Sequence, residues 1–211
     1  MSTYQTEEEQ VEAIKKWWKE NGRSVVGGIV LGFAIIGGWQ GWQAYHRNQG
    51  ESASMLFDAM RQAVGAGAQD TAIENGKRLI GEFGGTAYAG FAGMELARLA
   101  YERGEKPAAR QHLEWVAENA PDATIAETAR LRLGHLMLDM GDYAALDGLL
   151  TQSPLPAFAG EFAVLRGDAA VGRGDRTAAR TAYEQALQLG VEDETLLRMK
   201  LVDVGGQLAA G

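Results

Sequence analysis

Cysteine is absent from the 211 residues of this chain, and proline and histidine are scarce, with four and three residues respectively. The missing thiols exclude disulfides, cysteine-ligated metal sites and thiol nucleophiles. His46, His112 and His135 are scattered and never form the H-x-x-x-H spacing of a metal site, so we expect neither a metal nor a cofactor. The few prolines and many alanines predict a mainly helical protein.

A concentration of basic charge is also lacking. The net charge is −8, and residues 46–211 hold sixteen Lys or Arg against twenty-three Asp or Glu. Proteins that bind nucleic acid contact its phosphates through clustered Lys or Arg side chains. The sequence therefore predicts no nucleic-acid partner.

Catalytic motifs are missing as well. The chain has no G-x-S-x-G nucleophile elbow, and the GAG run at 65–67 lacks the third glycine of a dinucleotide-binding loop. Gly76 and Lys77 resemble the end of a phosphate-binding loop, but Thr71 stands where its first glycine is needed. We therefore predict that the protein is not an enzyme.

The most prominent feature present is an uncharged run of 22 residues, SVVGGIVLGFAIIGGWQGWQAY, at 24–45. As a helix it extends roughly 33 Å, enough to cross a hydrocarbon core of about 30 Å. Trp17 and Trp18 precede the run, and Trp39, Trp42 and Tyr45 close it, as is typical of side chains at the two membrane interfaces. We predict a transmembrane helix over 24–45. A cleaved signal peptide, which lacks its small-residue cleavage motif here, and a core helix loosened by glycine are the alternatives.

The basic residues around the run predict its orientation. Four of them lie just before it, namely Lys15, Lys16, Lys19 and Arg23. Only Arg47 lies just after it. By the positive-inside rule, residues 1–23 form a cytoplasmic tail and residues 46–211 lie outside, as in a single-pass protein that contacts membrane lipid.

The tail itself reads as a short amphipathic helix. Thr6 and Glu9 have the spacing of a capping box, and Val11, Ile14 and Trp18 share one face, which favours a helix on the membrane surface. Asn21-Gly22 is typical of a helix stop before the span. A solvated tail without a docking role is the alternative.

Glycines within the run have the G-x-x-x-G spacing that allows two membrane helices to approach closely. The candidates for helix packing are Gly28, Gly32, Gly37 and Gly41. Because glycine is frequent in membrane helices in general, a composition effect is the alternative.

Repeats dominate the rest of the chain. Residues 96–116, 133–150 and 166–187 each contain a helical stretch, a glycine followed by an acidic residue, and a second helical stretch. The turn glycines, Gly104, Gly141 and Gly174, are 37 and 33 residues apart, and Gly67 lies a further 37 residues upstream, which indicates an earlier unit over 51–84. Helix pairs with a period near 34 residues resemble tetratricopeptide repeats.

The fold class predicted is therefore all-α, with one N-terminal transmembrane helix followed by a tetratricopeptide-like α-solenoid of about three to four helix pairs. The repeat domain is expected over 46–205, with a proline-containing insert at 151–160, a capping helix within 193–205 and a flexible C-terminus at 206–211.

The resemblance to this repeat family also implies which residues face the concave groove formed by the first helix of each pair. They are Phe91, Met94, Arg98 and Tyr101 in one unit, Leu131, His135 and Leu138 in the next, and Val164, Asp168 and Val171 in the last. Members that grip a terminal carboxylate carry Lys and Asn where this chain has Met94, Leu131 and Val164. An apolar groove suits an apolar peptide or a partner's helix. Alternatively, these side chains pack on each other or lie under the C-terminal helix.

Two stretches, EEEQVEAIKKWWKENG at 7–22 and LLRMKLVD at 196–203, resemble the YfgM family of ancillary subunits of the bacterial Sec translocon. The resemblance implies a non-enzymatic adaptor in the inner membrane with its repeat domain in the periplasm. It implies as partners the translocon, a membrane-anchored periplasmic chaperone of the prolyl-isomerase-like class, and secreted or outer-membrane client chains. The alternatives are an envelope-stress regulator whose tail binds a cytoplasmic response regulator, and a secreted repeat protein released by cleavage.

Overall fold

A computed structural model describes residues 7–205, which fold into helices and connecting turns without a β-strand in that range. The chain divides into two compact units, residues 1–49 and residues 50–211. Each unit is considered by itself. The predicted C-terminal segment 206–211 lies outside the described residues.

Nine α-helices and one 3₁₀ turn make up the described range. They are α1 (Glu7–Gly65), α2 (Gln69–Phe83), α3 (Ala87–Glu102), α4 (Lys106–Asn119), α5 (Ala123–Asp139), α6 (Tyr143–Leu150), the 3₁₀ turn Pro156–Phe158, α7 (Ala159–Gly172), α8 (Arg176–Leu189) and α9 (Glu194–Asp203).

The first unit is the N-terminal part of α1. The predicted helix stop at Asn21-Gly22 is wrong, because α1 continues through both residues. Gly22 does not adopt the positive φ of a helix-terminating glycine. The Trp18 ring packs beside it, 3.3 Å from where a Cβ would stand. Asn21 instead donates its side-chain amide to the Trp17 carbonyl, 3.1 Å away, within the helix. Thr6 of the expected capping box lies outside the described residues.

The uncharged run at 24–45 is exposed along this helix. Within residues 7–205, α1 is the one helix long and apolar enough to cross a membrane, and none of its most apolar stretch is buried. Phe33, for example, exposes 72% of its surface. A helix is the conformation expected here, since it satisfies every backbone polar group of a lipid-facing segment internally.

The second unit is a series of helix pairs joined by glycine turns. Gly67, Gly104, Gly141 and Gly174 have φ values of +72°, +77°, +69° and +79°, in the left-handed region that favours glycine. After each glycine, the next residue donates its N–H to a carbonyl five residues back, as from Glu105 to Ala100 at 2.9 Å. The same helix ending therefore occurs four times, and it is the Schellman type.

These turns confirm the predicted all-α fold of stacked helix pairs and give four pairs. Residues 50–65 of α1 pair with α2, α3 with α4, α5 with α6, and α7 with α8. The pair predicted around Gly67 is thus present as the first of the four.

Small residues allow the helices of the stack to approach closely. An added Cβ would collide with Val116 at Gly93, with Leu165 at Gly134 and with the Tyr183 ring at Gly167. Three apolar clusters follow one another along the stack, one around Met60 and Leu79, a second around Leu133 and Phe162, and a third around Tyr183 and Leu201. The core is therefore a series of local clusters along the stack, as in other repeat proteins.

A buried ion pair fixes the insert between the last two pairs. Glu127, which is 6% exposed, accepts hydrogen bonds from Arg130 Nη1 at 2.9 Å and from the Leu155 backbone N–H at 3.1 Å. Arg130 in turn donates to the Gln152 carbonyl at 3.1 Å. The insert therefore interrupts the helical pattern, as its prolines predict, yet is held against α5.

Helix α9 packs on the last pair. Leu197 and Leu201 are buried, and Lys200 Nζ lies 2.7 Å from both carboxylate oxygens of Asp168 on α7. The Tyr183 hydroxyl donates to the same carboxylate at 2.7 Å. Asp168 therefore links α7, α8 and α9, and α9 caps this end of the stack.

Candidate functional site

A cavity of about 500 Å³ opens between α3 and α5, with α4 behind them. The first helices of two successive pairs lie side by side here, so that one face of each borders the same groove. Five of the ten predicted groove residues line this cavity, namely Phe91, Met94, Arg98, Tyr101 and His135. The other lining residues are Glu95, Ala97, Ala109, Leu113, Arg132, Leu136 and Asp139.

The apolar wall of the cavity comes from α3. Phe91 exposes 39% of its surface and Tyr101 exposes 48%, while Met94 is half-buried between them. The Phe91 ring centroid lies 6.0 Å from that of Phe57, whose centroid is 5.8 Å from that of Tyr88. Aromatic surface therefore continues from the cavity towards the first pair. A contiguous patch of exposed apolar side chains is typical of a binding surface, whereas single exposed apolar residues are common on any protein.

Most charged groups of the cavity are already paired. Arg98 donates to Glu95, with Nε 3.0 Å from Oε2, and also to Glu102. Asp139 accepts hydrogen bonds from Lys106 Nζ at 2.8 Å and from the Tyr101 hydroxyl at 3.1 Å, and these donors hold the pKa of Asp139 below its ordinary value. These pairs fix the side chains around the cavity and leave its centre apolar.

His135 adds an uncharged polar group at the edge of the cavity. Desolvation of its ring lowers the pKa of His135 from the ordinary value of 6.5; the charge of Asp168 opposes this shift, and the charge of Lys200 adds to it. His135 is therefore neutral at pH 7 and available as a hydrogen-bond donor and acceptor.

Arg132 is the cavity residue that the sequence prediction missed. Its Nη1 donates to the sulfur of Met94 at 3.6 Å, and no carboxylate in residues 7–205 pairs with it. The sequence could have indicated Arg132 as a groove residue, because it lies three residues before His135 and therefore on the same side of α5.

The other predicted groove residues lie elsewhere. Leu131 and Leu138 are half-buried against the central apolar cluster, and Val164 packs against the last one. Asp168 is engaged by Tyr183 and Lys200, and Val171 is exposed away from the cavity. Two of the five therefore face the central cluster from α5, and the other three lie on α7, which does not line the α3–α5 groove.

The transmembrane glycines are open on all sides within their own unit. Apart from the nearby backbone of the helix itself, a Cβ added at Gly28, Gly32, Gly37 or Gly41 would meet no atom of this unit within 4 Å. The helix thus presents notches that its own unit does not fill.

A second, more polar cavity of about 680 Å³ lies between α6, α7 and α8. It exists because α6 has only 8 residues, whereas the second helices α4 and α8 have 14 each. Arg166 lines this cavity at the position where the earlier units carry leucine, and Arg173 beside it pairs with Asp147 at 2.6 Å. The short helix therefore leaves a charged notch, in contrast to the apolar α3–α5 groove.

The α3–α5 groove combines an apolar wall with a few paired polar groups at its edge. Within residues 7–205 there is no group of three or more His, Asp or Glu side chains placed to hold a metal ion. Apolar surface with a few fixed polar groups at its edge is typical of sites that take a peptide or a partner's helix.

Comparison with known proteins gives consistent matches over nearly the whole chain. A family model described as "Tetratricopeptide repeat-like domain" matches residues 15–206. A protein of Haemophilus influenzae is 31% identical over 196 residues, which cover 92% of this chain and 96% of that protein. A protein of Escherichia coli is 28% identical over 203 residues, covering 95% and 98%, and one of Neisseria gonorrhoeae is 27% identical over 208 residues, also covering 95% and 98%. Each of the three is named "Ancillary SecYEG translocon subunit". No solved structure matches this chain significantly.

Proposed function

Because the chain belongs to the family of ancillary SecYEG translocon subunits with a tetratricopeptide repeat-like domain, as its resemblance to the YfgM family predicted, we propose that it is an accessory protein of the Sec translocon. In this proposal residues 24–45 anchor it in a bacterial inner membrane. The tail lies in the cytoplasm and the repeat domain lies in the periplasm. The protein acts there as a non-enzymatic adaptor that binds a periplasmic chaperone, emerging secreted chains, or both.

The exposed aromatic side chains of α1 support the anchor. Trp18 and Trp39 are 52% and 63% exposed, and they are 21 residues apart, which is roughly 31 Å along a helix. That distance places one indole near each headgroup region. The basic residues before the span support the proposed orientation by the positive-inside rule.

The absence of cysteine allows a direct test of this topology. Gln10→Cys and Gln111→Cys each introduce a single thiol, the first in the tail and the second on the exposed side of α4. In intact spheroplasts a membrane-impermeant maleimide should label Gln111→Cys alone, and Gln10→Cys should react only after permeabilisation. The reverse pattern contradicts the orientation, and a mature protein that lacks position 10 indicates a cleaved signal peptide.

The α3–α5 groove carries the proposed binding function. Phe91 and Tyr101 expose apolar surface within one cavity, and no segment of residues 50–205 covers it. Helix α9 packs on the last pair through Leu197 and Leu201, so it does not occupy this groove. A partner's apolar side chain that entered the cavity would bury area worth about 25 cal/mol per Å².

Site-specific photocrosslinking in cells tests this function. A photoreactive residue replaces Met94 or Tyr101 in the groove, and Gln111 on the opposite side serves as the matched control. The groove positions should capture a prolyl-isomerase-like periplasmic chaperone or a secreted chain in transit. Capture of these proteins from Gln111 with none from the groove positions would show that another surface binds them.

The open glycines support contact between the anchor and a helix of the translocon. Replacing Gly28 and Gly32 together by leucine fills one notch, whereas Val26→Leu with Val30→Leu adds bulk elsewhere at the same spacing. The glycine variant should recover less SecY after affinity purification in mild detergent, while the valine variant should match the wild type. Equal recovery with both variants contradicts a contact through the glycines.

A further inference from the structure

Arg132 differs from every other Lys or Arg side chain of helices α3, α4 and α5 and their turns. The others each form a salt bridge within the described chain, namely Arg98, Arg103, Lys106, Arg110 and Arg130. Arg132 is exposed, and its one recorded partner in residues 7–205 is the Met94 thioether. A thioether is a weak acceptor, so the guanidinium retains nearly all of its capacity to bind a carboxylate.

The carboxylates that line the same cavity are bonded to other side chains and do not pair with Arg132. Glu95 is held by Arg98, and Asp139 is held by Lys106 and Tyr101. His135 carries no charge at pH 7, because desolvation lowers its pKa. Arg132 therefore places a guanidinium without a carboxylate partner directly beside the apolar surface of Phe91 and Met94.

We infer that the groove selects a protein segment with a large apolar side chain and a nearby acidic side chain. The apolar side chain enters the α3–α5 cavity, and the carboxylate pairs with Arg132. A planar guanidinium favours this partner, since it donates two parallel hydrogen bonds to one carboxylate. The inference rests on the proposed binding function of the groove and specifies the chemistry of what it binds.

A double-mutant cycle with synthetic peptides tests the inference on the full chain in detergent micelles. The probes are labelled peptides of about a dozen residues with one central phenylalanine, and a glutamate is scanned through the neighbouring positions. Matching peptides carry glutamine instead. Both termini are blocked, so that only a side chain supplies the carboxylate. Binding to the wild type, Arg132→Gln and the control Arg180→Gln is measured by fluorescence anisotropy.

The best glutamate peptide should bind the wild type about three- to tenfold more tightly than its glutamine counterpart, as expected for a partly exposed charge pair. Arg132→Gln should abolish that preference while binding the glutamine peptide as the wild type does, and Arg180→Gln should retain the preference. Higher salt should reduce the preference as well. If both peptides bind and Arg132→Gln affects them equally, the inference is wrong while the groove function stands. If no peptide binds the wild type, the groove function and the inference both fail.

Discussion

Replacing Gly160 by alanine should destabilise the repeat domain by about 2 kcal/mol, because backbone atoms occupy the space that a Cβ needs. Gly160 is buried in the first turn of α7, and the nearest atom to an added Cβ would be the Gly190 carbonyl oxygen. The Gly190 carbonyl carbon would lie 2.9 Å away, whereas carbon atoms in contact are normally about 3.5–4.0 Å apart. Gly190 ends α8 with φ at +85°, so neither side can yield by a simple side-chain rotation.

The expected size of the effect follows from two opposing contributions. Overpacking costs about 1–3 kcal/mol, and backbone contacts belong to the upper part of that range. Alanine gains up to about 1 kcal/mol over glycine in a helix interior, and less in the first turn. Gly148→Ala in α6 is the matched control, since a Cβ there meets no atom within 4 Å, and it should stabilise by about 0.5–1 kcal/mol.

Thermal unfolding of the full chain in detergent, followed by circular dichroism, measures both variants. For a protein of this size, 1 kcal/mol corresponds to about 2–4 °C in Tm. Gly160→Ala should therefore melt about 4–8 °C below the wild type, and Gly148→Ala about 1–4 °C above it. A Gly160→Ala protein that melts at or above the wild-type temperature would refute the packing of α7 against the end of α8.

Two further predictions concern charged groups of the repeat domain. Glu127→Ala should lower the free energy of unfolding in urea by about 3–5 kcal/mol, because it leaves Arg130 without its buried carboxylate. The control Glu184→Ala removes an exposed pair and should lower it by under about 1 kcal/mol. Similar losses of stability for the two variants would contradict the buried pair. Desolvation lowers the pKa of His135 in the folded state below the 6.5 of the unfolded chain, so protonation favours unfolding. Stability should then fall as the pH drops from 7 through about 6.5 towards the lower folded pKa, and His135→Gln should reduce that fall; an unchanged pH profile would count against it.

The repeat architecture could be predicted because its main signal is local. A left-handed helix ending favours glycine regardless of what packs on it, so Gly104, Gly141 and Gly174 marked the turns directly. The same reasoning located the first pair from Gly67, although its helices show little other similarity to the repeat. The prediction of a helix stop at Asn21-Gly22 was wrong because both residues can also occupy a helix interior. Here α1 continues without a break through them into the uncharged run.

The groove could be predicted only in part, because side-chain direction depends on distant partners. The resemblance to the repeat family implied that Phe91 and Tyr101 face a groove, and both line the α3–α5 cavity. Asp168 occupies a similar position in α7, but Lys200 and Tyr183 bind its carboxylate from α9 and α8, 32 and 15 residues away in the sequence. Arg132 likewise lacks a carboxylate partner because Glu95 and Asp139 pair with Arg98 and Lys106. The spacing of residues in the sequence does not reveal these pairings.

Association with the translocon is the central claim, and affinity purification of the tagged full chain from solubilised inner membranes tests it most directly. SecY, SecE and SecG are quantified by mass spectrometry against a tagged, unrelated single-span protein of similar abundance. A second control keeps the repeat domain but replaces residues 24–45 by a leucine–alanine helix of equal length. The wild type should enrich all three proteins over both controls. Recovery of SecYEG no greater than with the unrelated protein would contradict an accessory role at the translocon.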